Sequence, residues 1–347
     1  MSIYACRAAI GLALLVIPFF AASFFLAQWL EDRQAVADPC PGALGETSAC
    51  WDEYYAQVIT TRGPLTALKD LKAQYEKGGG GRLFCHPILH EIGEAAGEQF
   101  GSMEEAFRHG DPVCRSGYYH GVLEYLFGEE GGETLLSQLD SICAETWNKE
   151  RYSYDYFACV HGIGHGLMAY FDHELFQSLA GCELLTGQWE QSTCAGGAFM
   201  ENIGADSPEF PSKYLKKDDL IFPCNAVKEQ YRPQCFQMQS SYMLVQNGGD
   251  FGAAFATCRD VEEPYQEPCY QSIGRDASGW SYGDAETARA LCSVGTTANE
   301  RTQCLIGAAS DFIQSVGISE ARAFCTNSGK EAHAACVQAV EWQIRAL

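Results

Sequence analysis

The chain has 347 residues, enough for one large or two ordinary domains with a hydrophobic core. Its 45 acidic and 23 basic side chains give a formal net charge of −22, which repels phosphate backbones and excludes nucleic acid as an expected partner. Its 17 cysteines include no CxxC pair, which argues against a reduced cytosolic enzyme and predicts disulfides formed in an oxidising compartment.

The N-terminal residues 1–30 predict a membrane anchor. The segment from Ala8 to Leu30 carries no charge, and at about 1.5 Å per residue a helix there spans roughly 34 Å, enough to cross a bilayer core. Because the mass of the chain follows this span, we expect a cytoplasmic N-terminus and an extracytoplasmic body, periplasmic or extracellular. A cleaved signal peptide is the alternative, since Ala35-Val36-Ala37 resembles a signal-peptidase site.

Residues 31–82 are expected to form a helical stalk, or first hairpin, that ends in a glycine linker. Cys40 and Cys50 are closely spaced, and an amphipathic helix is predicted downstream of them. Four residues lie on one face of that helix: Leu65, Leu68, Leu71 and Tyr75. The glycine run from Gly78 to Gly81 predicts a flexible boundary between this segment and the rest.

The cysteines of the remaining chain recur in close pairs, which predicts a repeat array. The first members of successive pairs are 39, 42, 34, 34 and 33 residues apart, close to a constant period. The predicted pairs are Cys143/Cys159, Cys182/Cys194, Cys224/Cys235, Cys258/Cys269, Cys292/Cys304 and Cys325/Cys336, with Cys85/Cys114 as the pair left over. Pairing within each couple is a hypothesis, because spacing alone does not fix connectivity.

The residues after each second cysteine predict the start of a helix. A small residue stands three positions after most of them, where a neighbouring helix can approach closely; these are Gly117, Gly162, Gly197, Ser272, Gly307 and Ala339. Strand-like alternation is scarce. We therefore predict an all-α fold of disulfide-stapled αα-hairpin repeats, solenoid-like, behind an N-terminal transmembrane helix. Its two parts are residues 83–206, which carry histidines, and residues 207–347, which carry paired cysteines without a histidine cluster.

Five of the eight histidines follow three of the repeat cysteines closely, and this segregation is the main functional signal. Residues four apart on a helix share a face, so the histidines of each HxxxH pair project together. Equivalent positions of neighbouring repeats lie side by side, about one helix spacing of 8–10 Å apart. The predicted metal ligands are His86, His90, His120, His161 and His165, with Glu94 and Glu124 as further ligands or as groups that orient the imidazoles.

The glycines around the last histidine pair support the same interpretation. Gly164 and Gly166 cost a helix about 0.8–1 kcal/mol each relative to alanine, so another backbone or a ligand is expected to approach closely there. His109 is expected to cap a helix C-terminus, and His173 and His333 to lie on the surface.

The identity of the metal stays open between copper, iron and zinc. Imidazole suits all three, and Met200, at the position equivalent to His165, would favour copper if it were a ligand instead of a core side chain. The predicted function is an extracytoplasmic, membrane-anchored metal-binding protein, with redox or oxygen chemistry as one use of the ion. The alternative is a metal-free helical scaffold for protein–protein interaction, with residues 207–347 as the surface for a protein partner.

Overall fold

The computed structural model describes residues 39–40, 49–77, 81, 84–111, 113–128, 132–146, 154–204 and 211–345. These residues form α-helices, three short 3-10 turns and no β-strand. The helices are α1 Ala49–Arg62, α2 Pro64–Lys77, α3 Cys85–Phe100, α4 Met103–Arg108, α5 Gly117–Gly128, α6 Gly132–Leu136, α7 Leu139–Thr146, α8 Tyr154–Tyr170, α9 Leu175–Cys182, α10 Gln188–Gly204, α11 Arg232–Gln246, α12 Phe251–Arg259, α13 Gln266–Trp280, α14 Ala285–Ser293, α15 Ala298–Ser315, α16 Ile318–Thr326 and α17 Gly329–Ile344.

Long helices form the body of the fold, and short helices connect them. Each long helix packs against the next long helix along the chain, in the order α3, α5, α8, α10, α11, α13, α15 and α17. The short helices α9, α12, α14 and α16 lead into the long helices that follow them. Helices α9 and α12 pack most closely against the following long helix, whereas α14 and α16 pack most closely against the preceding one. The predicted helical character of the chain is therefore confirmed in the described residues.

Most of the disulfides join the segment before a long helix to the early turns of that helix, whereas Cys85–Cys114 joins the start of α3 to the 3-10 turn before α5. In α9, α12, α14 and α16 the first cysteine of the pair lies at or within one residue of the helix end. The expected pairs are confirmed: Cys85–Cys114, Cys143–Cys159, Cys182–Cys194, Cys224–Cys235, Cys258–Cys269, Cys292–Cys304 and Cys325–Cys336. Cys40 and Cys50 are disulfide-bonded as well. So many disulfides indicate an oxidising, extracytoplasmic environment.

Local sequence explains where the repeat helices begin and end. The side chains of Asp250 and Asp284 accept hydrogen bonds from the backbone N–H three residues on, and so cap α12 and α14. After α13, Tyr282 and Gly283 both have positive φ, of 54° and 77°, and this left-handed turn ends the helix before α14 begins.

Glycine allows three neighbouring pairs of long helices to touch through their backbones. A Cβ on Gly274 of α13 would lie 1.9 Å from the carbonyl oxygen of Cys304, and one on Gly307 of α15 would lie 1.9 Å from that of Gln271. The same reciprocal contact joins α3 to α5 and α8 to α10. A Cβ on Gly164 would lie 2.0 Å from the carbonyl oxygen of Cys194. The close approach expected at Gly164 is therefore made by a neighbouring backbone and not by a ligand.

The structure differs from a uniform open array in two places. Residues 211–228, which carry Cys224, form turns in place of the expected first helix of that hairpin, and the side-chain amide of Gln239 donates to the carbonyls of Leu220 and Phe222 there. The Tyr75 hydroxyl on α2 donates to the carbonyl of Gln314 on α15 at 2.5 Å, so early and late helices meet. An open solenoid, in which each unit contacts only its neighbours, does not predict that contact.

The predicted anchor, Ala8 to Leu30, lies outside the described residues, as do most of the glycines from Gly78 to Gly81. Among the residues that are described, no helix has both the length and the apolar character required to cross a bilayer. Residues Ala43–Leu347 form one compact unit. Near the start of this unit, α1 packs on α2 and both pack on α3.

Candidate metal centre

Three neighbouring long helices carry the five clustered histidines. His86 and His90 lie in the first turns of α3, His120 lies on α5, and His161 and His165 lie on α8. Reciprocal glycine contacts join α3 to α5, and α8 to the next long helix α10, at the level of the imidazoles. A Cβ on Gly121 of α5 would lie 1.9 Å from the carbonyl oxygen of His90, and one on Gly197 of α10 would lie 1.9 Å from that of His161.

The five imidazoles form one continuous cluster, as the sequence predicted. Two imidazoles bound to one ion by bonds of about 2.1 Å have ring centroids roughly 4.5–5.5 Å apart. The centroid of His90 lies 4.7 Å from that of His86, 5.2 Å from that of His120 and 5.3 Å from that of His165. His120 lies 5.5 Å from His86 and 4.8 Å from His165. These separations would allow neighbouring imidazoles to share an ion.

The Nε2 atoms of His86 and His90 face each other. His86 Nδ1 lies 2.8 Å from the carbonyl oxygen of Cys114, which only accepts, so Nδ1 carries the proton. His90 Nδ1 lies 3.0 and 3.1 Å from the two oxygens of Glu124. The Nε2 atoms of the two rings are 3.2 Å apart. When both rings are neutral, this arrangement places two lone pairs against each other, and a cation between them removes the repulsion.

His120 completes a group of three nitrogen donors with His86 and His90. Its ring is 2% exposed, and neither ring nitrogen has a hydrogen-bond partner among the described residues. A buried polar atom without a partner costs about 1–3 kcal/mol, so such an atom calls for a ligand. His86, His90 and His120 place donor atoms within 4.8 Å of one another, and His90, Glu124 and His165 do the same. These residues can therefore hold a metal ion.

Carboxylates surround His165. Its Nδ1 lies 2.8 Å from Glu201 Oε2 on α10 and 3.3 Å from Glu124 Oε1 on α5. Its Nε2 is buried and has no hydrogen-bond partner among the described residues. Glu124 thus lies between His90 and His165, in the position of a carboxylate that orients metal-binding imidazoles.

Burial and charge divide the histidines into neutral and protonated groups in the metal-free site. Burial, followed by the neighbouring imidazoles, holds the pKa of His120 and of His161 well below the ordinary value. Burial alone would also lower the pKa of His165, but the hydrogen bond to Glu201 and the charges of Glu124 and Glu201 outweigh it and raise the pKa to about 9. The neutral rings have free lone pairs, which metal binding requires.

The two predicted carboxylates behave differently. Burial by itself would raise the pKa of Glu124, but the charges of His90 and His165 and the hydrogen bond from His90 hold that pKa well below its usual range. Although Glu94 is exposed, loss of hydration and then repulsion from Glu124 raise the pKa of its carboxyl to about 7. Glu124 is therefore anionic beside the histidines, whereas Glu94 lies at the acidic edge of the cluster.

His161 belongs to the cluster by ring contact but not to either group of donor atoms. Its centroid is 5.4 Å from that of His120 and 5.3 Å from that of His165. Its ring is hydrogen-bonded to the backbone of Thr193 and stacks on Phe157, 5.6 Å between centroids. His161 thus packs at the border of the candidate site, while Glu94 is absent from both donor groups.

The remaining histidines lie apart from the centre. His109 is the residue that follows α4 and caps its C-terminus, as predicted. His173 and His333 are exposed.

Sequence reasoning missed Glu201 and the backbone carbonyl of Cys114. Glu201 follows Met200, which occupies the repeat position of His120 and His165. Its place beside that position could have been used to predict that it lies near the histidines. The carbonyl of Cys114 could not be identified from sequence, because every residue has a backbone carbonyl and no pattern of side chains marks this one.

Comparisons with protein-family models, with curated proteins and with solved structures find no match to this chain. The geometry and chemistry of the histidine cluster are therefore the basis for assigning a function.

Proposed function

We propose that this protein is an extracytoplasmic metal-binding protein that holds a transition metal ion on His86, His90 and His120. The observation that carries the proposal is the 3.2 Å separation of the Nε2 atoms of His86 and His90. Their Nδ1 atoms face the Cys114 carbonyl and Glu124, so the Nε2 atoms of both rings converge on one point, where a shared cation can bind.

A three-imidazole set leaves a coordination position open. Catalytic zinc sites have three protein ligands with water or substrate in the fourth position, whereas structural sites are closed. His86 and His90 are only partly buried, so small molecules reach this side of the cluster. Copper, iron and zinc all suit imidazole, and an open position on copper or iron admits oxygen or redox chemistry.

The same proposal includes a membrane anchor. The uncharged segment from Ala8 to Leu30 supports it, with the N-terminus in the cytoplasm and the metal-binding body in the periplasm or extracellular space. Protease protection of intact cells, followed by N-terminal sequencing of the mature protein, tests it. A mature chain that begins near Asp38 would show a cleaved signal peptide instead.

Metal analysis of the full-length chain tests the central claim. The protein is purified without reductant, stripped with chelator and dialysed against copper, zinc or ferrous iron. We expect stoichiometric binding of at least one of these metals, and its loss in a His86→Ala/His90→Ala double variant. A His173→Ala/His333→Ala double variant is the matched control, because both of these histidines are exposed, and it should bind as the wild type does. A wild-type chain that takes up none of the three metals contradicts the proposal.

A metal-free scaffold is the second candidate, and exposed apolar side chains favour it. Residues 207–347 expose several large apolar side chains, namely Val245, Trp280, Tyr282, Val294, Ile318 and Trp342. Aromatic residues of this kind are enriched at protein interfaces. Photo-cross-linking from position 280 in intact cells tests a partner there, with position 173 as the control. Absence of any specific adduct at position 280 counts against a scaffold role.

A further inference from the structure

Glu124 Oε1 has close neighbours but no hydrogen bond. It lies 3.0 Å from His90 Nδ1 and 3.3 Å from His165 Nδ1. It is nevertheless a buried oxygen without a hydrogen-bond partner among the described residues, because neither ring N–H points at it. The hydrogen bond of His90 goes to the other oxygen, Oε2, at 3.1 Å. The two ring nitrogens therefore lie close to Oε1 without the alignment that a hydrogen bond requires.

Each of the two ring nitrogens lies at a ligand–ligand distance from Glu124 Oε1. Two ligands at about 2.1 Å from a metal ion are roughly 3.0–3.4 Å apart, at right or tetrahedral angles. The two nitrogen–oxygen distances at Glu124 Oε1 match that spacing. His165 is 1% exposed and the Glu124 side chain 12% exposed, so this pocket lies inside the protein.

We infer that a second divalent transition metal ion binds between Glu124, His165 and the Nδ1 side of His90, so that the His90 ring bridges two ions. This inference rests on the proposed function, because the first ion occupies the Nε2 side of His90. On binding, the Nδ1 proton of His90 and any proton on His165 Nδ1 pass to the buffer. His90 then coordinates the first ion through Nε2 and the second through Nδ1.

The surroundings supply the charge that two ions require. Glu201 Oε2 lies 2.8 Å from His165 Nδ1, so a second carboxylate lies beside the proposed ion. Glu94 adds a third carboxyl at the edge. The first ion has an all-imidazole set and the second a mixed set of imidazole and carboxylate, which suits copper at the first position and copper, zinc or iron at the second.

Copper loading of the full-length chain tests the bridge. The stripped protein is titrated with Cu²⁺, and bound copper is counted by elemental analysis and by electron paramagnetic resonance. We expect two copper ions per chain with most of the resonance intensity lost at low temperature, because an imidazolate bridge couples the two spins. In a His165→Gln variant we expect one copper per chain with full intensity. His333→Gln, which changes an exposed histidine, should behave as the wild type does.

The outcomes separate this inference from the proposed function. One copper per wild-type chain with full intensity, unchanged in His165→Gln, overturns the second site and leaves the first. Two copper ions with full, uncoupled intensity overturn the bridge. No bound copper, zinc or iron overturns both claims. If His165→Gln does not fold, Glu124→Gln serves in its place, with one copper expected; a Glu124→Gln protein that still binds two coupled ions overturns the inference.

Discussion

At the scale of single residues, the partner of each Nδ1 atom determines what a histidine can do. His86 and His90 bind outward through Nδ1, to a carbonyl and a carboxylate, and so present Nε2 to the centre. The His161 ring is instead hydrogen-bonded to the Thr193 backbone and stacked on Phe157. Histidines with the same spacing in the sequence therefore have different roles in the structure.

This difference predicts the effects of two alanine variants on metal binding. We expect His86→Ala to weaken binding of the first ion at least 100-fold, because it removes one of three donor nitrogens. His161→Ala should weaken it less than about 10-fold, since His161 is outside both donor groups. Competition titration against a chromophoric chelator measures both affinities. Equal losses in the two variants would make His161 a ligand and contradict this assignment.

A second residue-scale feature is the buried Glu300 at the start of α15. The Thr297 hydroxyl accepts from the Glu300 backbone N–H, and the Glu300 carboxylate accepts from the backbone N–H groups of Thr296 and Thr297. Arg259 Nη1 also donates to it, at 3.2 Å. Burial would raise the pKa of Glu300, but these hydrogen bonds outweigh burial and lower it. The carboxylate form therefore stabilises the folded chain.

The Glu300 carboxylate accepts from four donors: the backbone N–H groups of Thr296 and Thr297, the Thr296 hydroxyl and Arg259 Nη1. Because an amide cannot replace a carboxylate among these donors, we expect Glu300→Gln to lower the free energy of unfolding by about 1–2 kcal/mol at pH 7. Since the folded-state pKa is lowered, the stabilisation is complete above the unfolded-state value of about 4.3 and is lost as the pH falls through the folded-state value. The difference from wild type should thus shrink between pH 5 and pH 3 in urea unfolding. Glu286→Gln, at an exposed site, is the control; a pH-independent difference for Glu300→Gln would contradict the assignment.

At the scale of helices, reciprocal glycines decide how closely neighbouring repeats approach. In α8 and α10, Gly164 and Gly197 each face a carbonyl of the other helix, as Gly274 and Gly307 do in α13 and α15. The first contact places the histidines of α8 beside Glu201, while the second joins helices without histidines. Close packing is therefore a property of the repeat, and the candidate metal site occupies one part of it.

Two glycines of α13 make this testable within one helix. A Cβ at position 274 would meet the Cys304 carbonyl, whereas one at Gly279 would meet nothing within 4 Å. Gly274→Ala should therefore destabilise the protein by about 1–3 kcal/mol through overpacking. Gly279→Ala should be neutral or stabilise it by up to about 1 kcal/mol, since alanine favours the helix. Urea unfolding with intact disulfides measures both; equal effects would exclude the close backbone contact as the cause.

At the scale of the whole molecule, the helical array turns back on itself. The hydrogen bond from Tyr75 to Gln314 joins residues 239 positions apart, and the 3-10 turn Cys114–Ser116 contacts α15 as well. Contacts of such separation make unfolding of the two ends interdependent, unlike unfolding of a linear array of repeats.

We expect Tyr75→Phe to lower the free energy of unfolding by about 0.5–1.5 kcal/mol, because it removes one hydrogen bond and leaves a partly buried carbonyl without it. Hydrogen exchange should become faster at the C-terminal turn of α15 and in α2 together. Tyr282→Phe, at an exposed tyrosine, is the control. Faster exchange in α2 alone would show that the two ends are not energetically linked.

Much of this molecule could be predicted from its cysteines and histidines. Local spacing predicted the helical character, the seven cysteine pairs and the gathering of five histidines, because a repeat holds equivalent residues in one register. It predicted a hairpin at Cys224 that is replaced by turns, since side-chain contacts such as those of Gln239 override periodicity there.

The sequence by itself determined that this protein is helical, stapled by disulfides and rich in histidine in one part, because those properties depend on residue type and local spacing. Only the tertiary structure decided which nitrogens face each other, which histidine lies outside the donor groups, and that Glu201 and the Cys114 carbonyl belong to the site. The physical reason is that metal coordination depends on the orientation of each ring and on the position of its donor nitrogen to within a fraction of an ångström. Orientation is set by packing and by backbone acceptors on neighbouring helices, which local spacing does not encode.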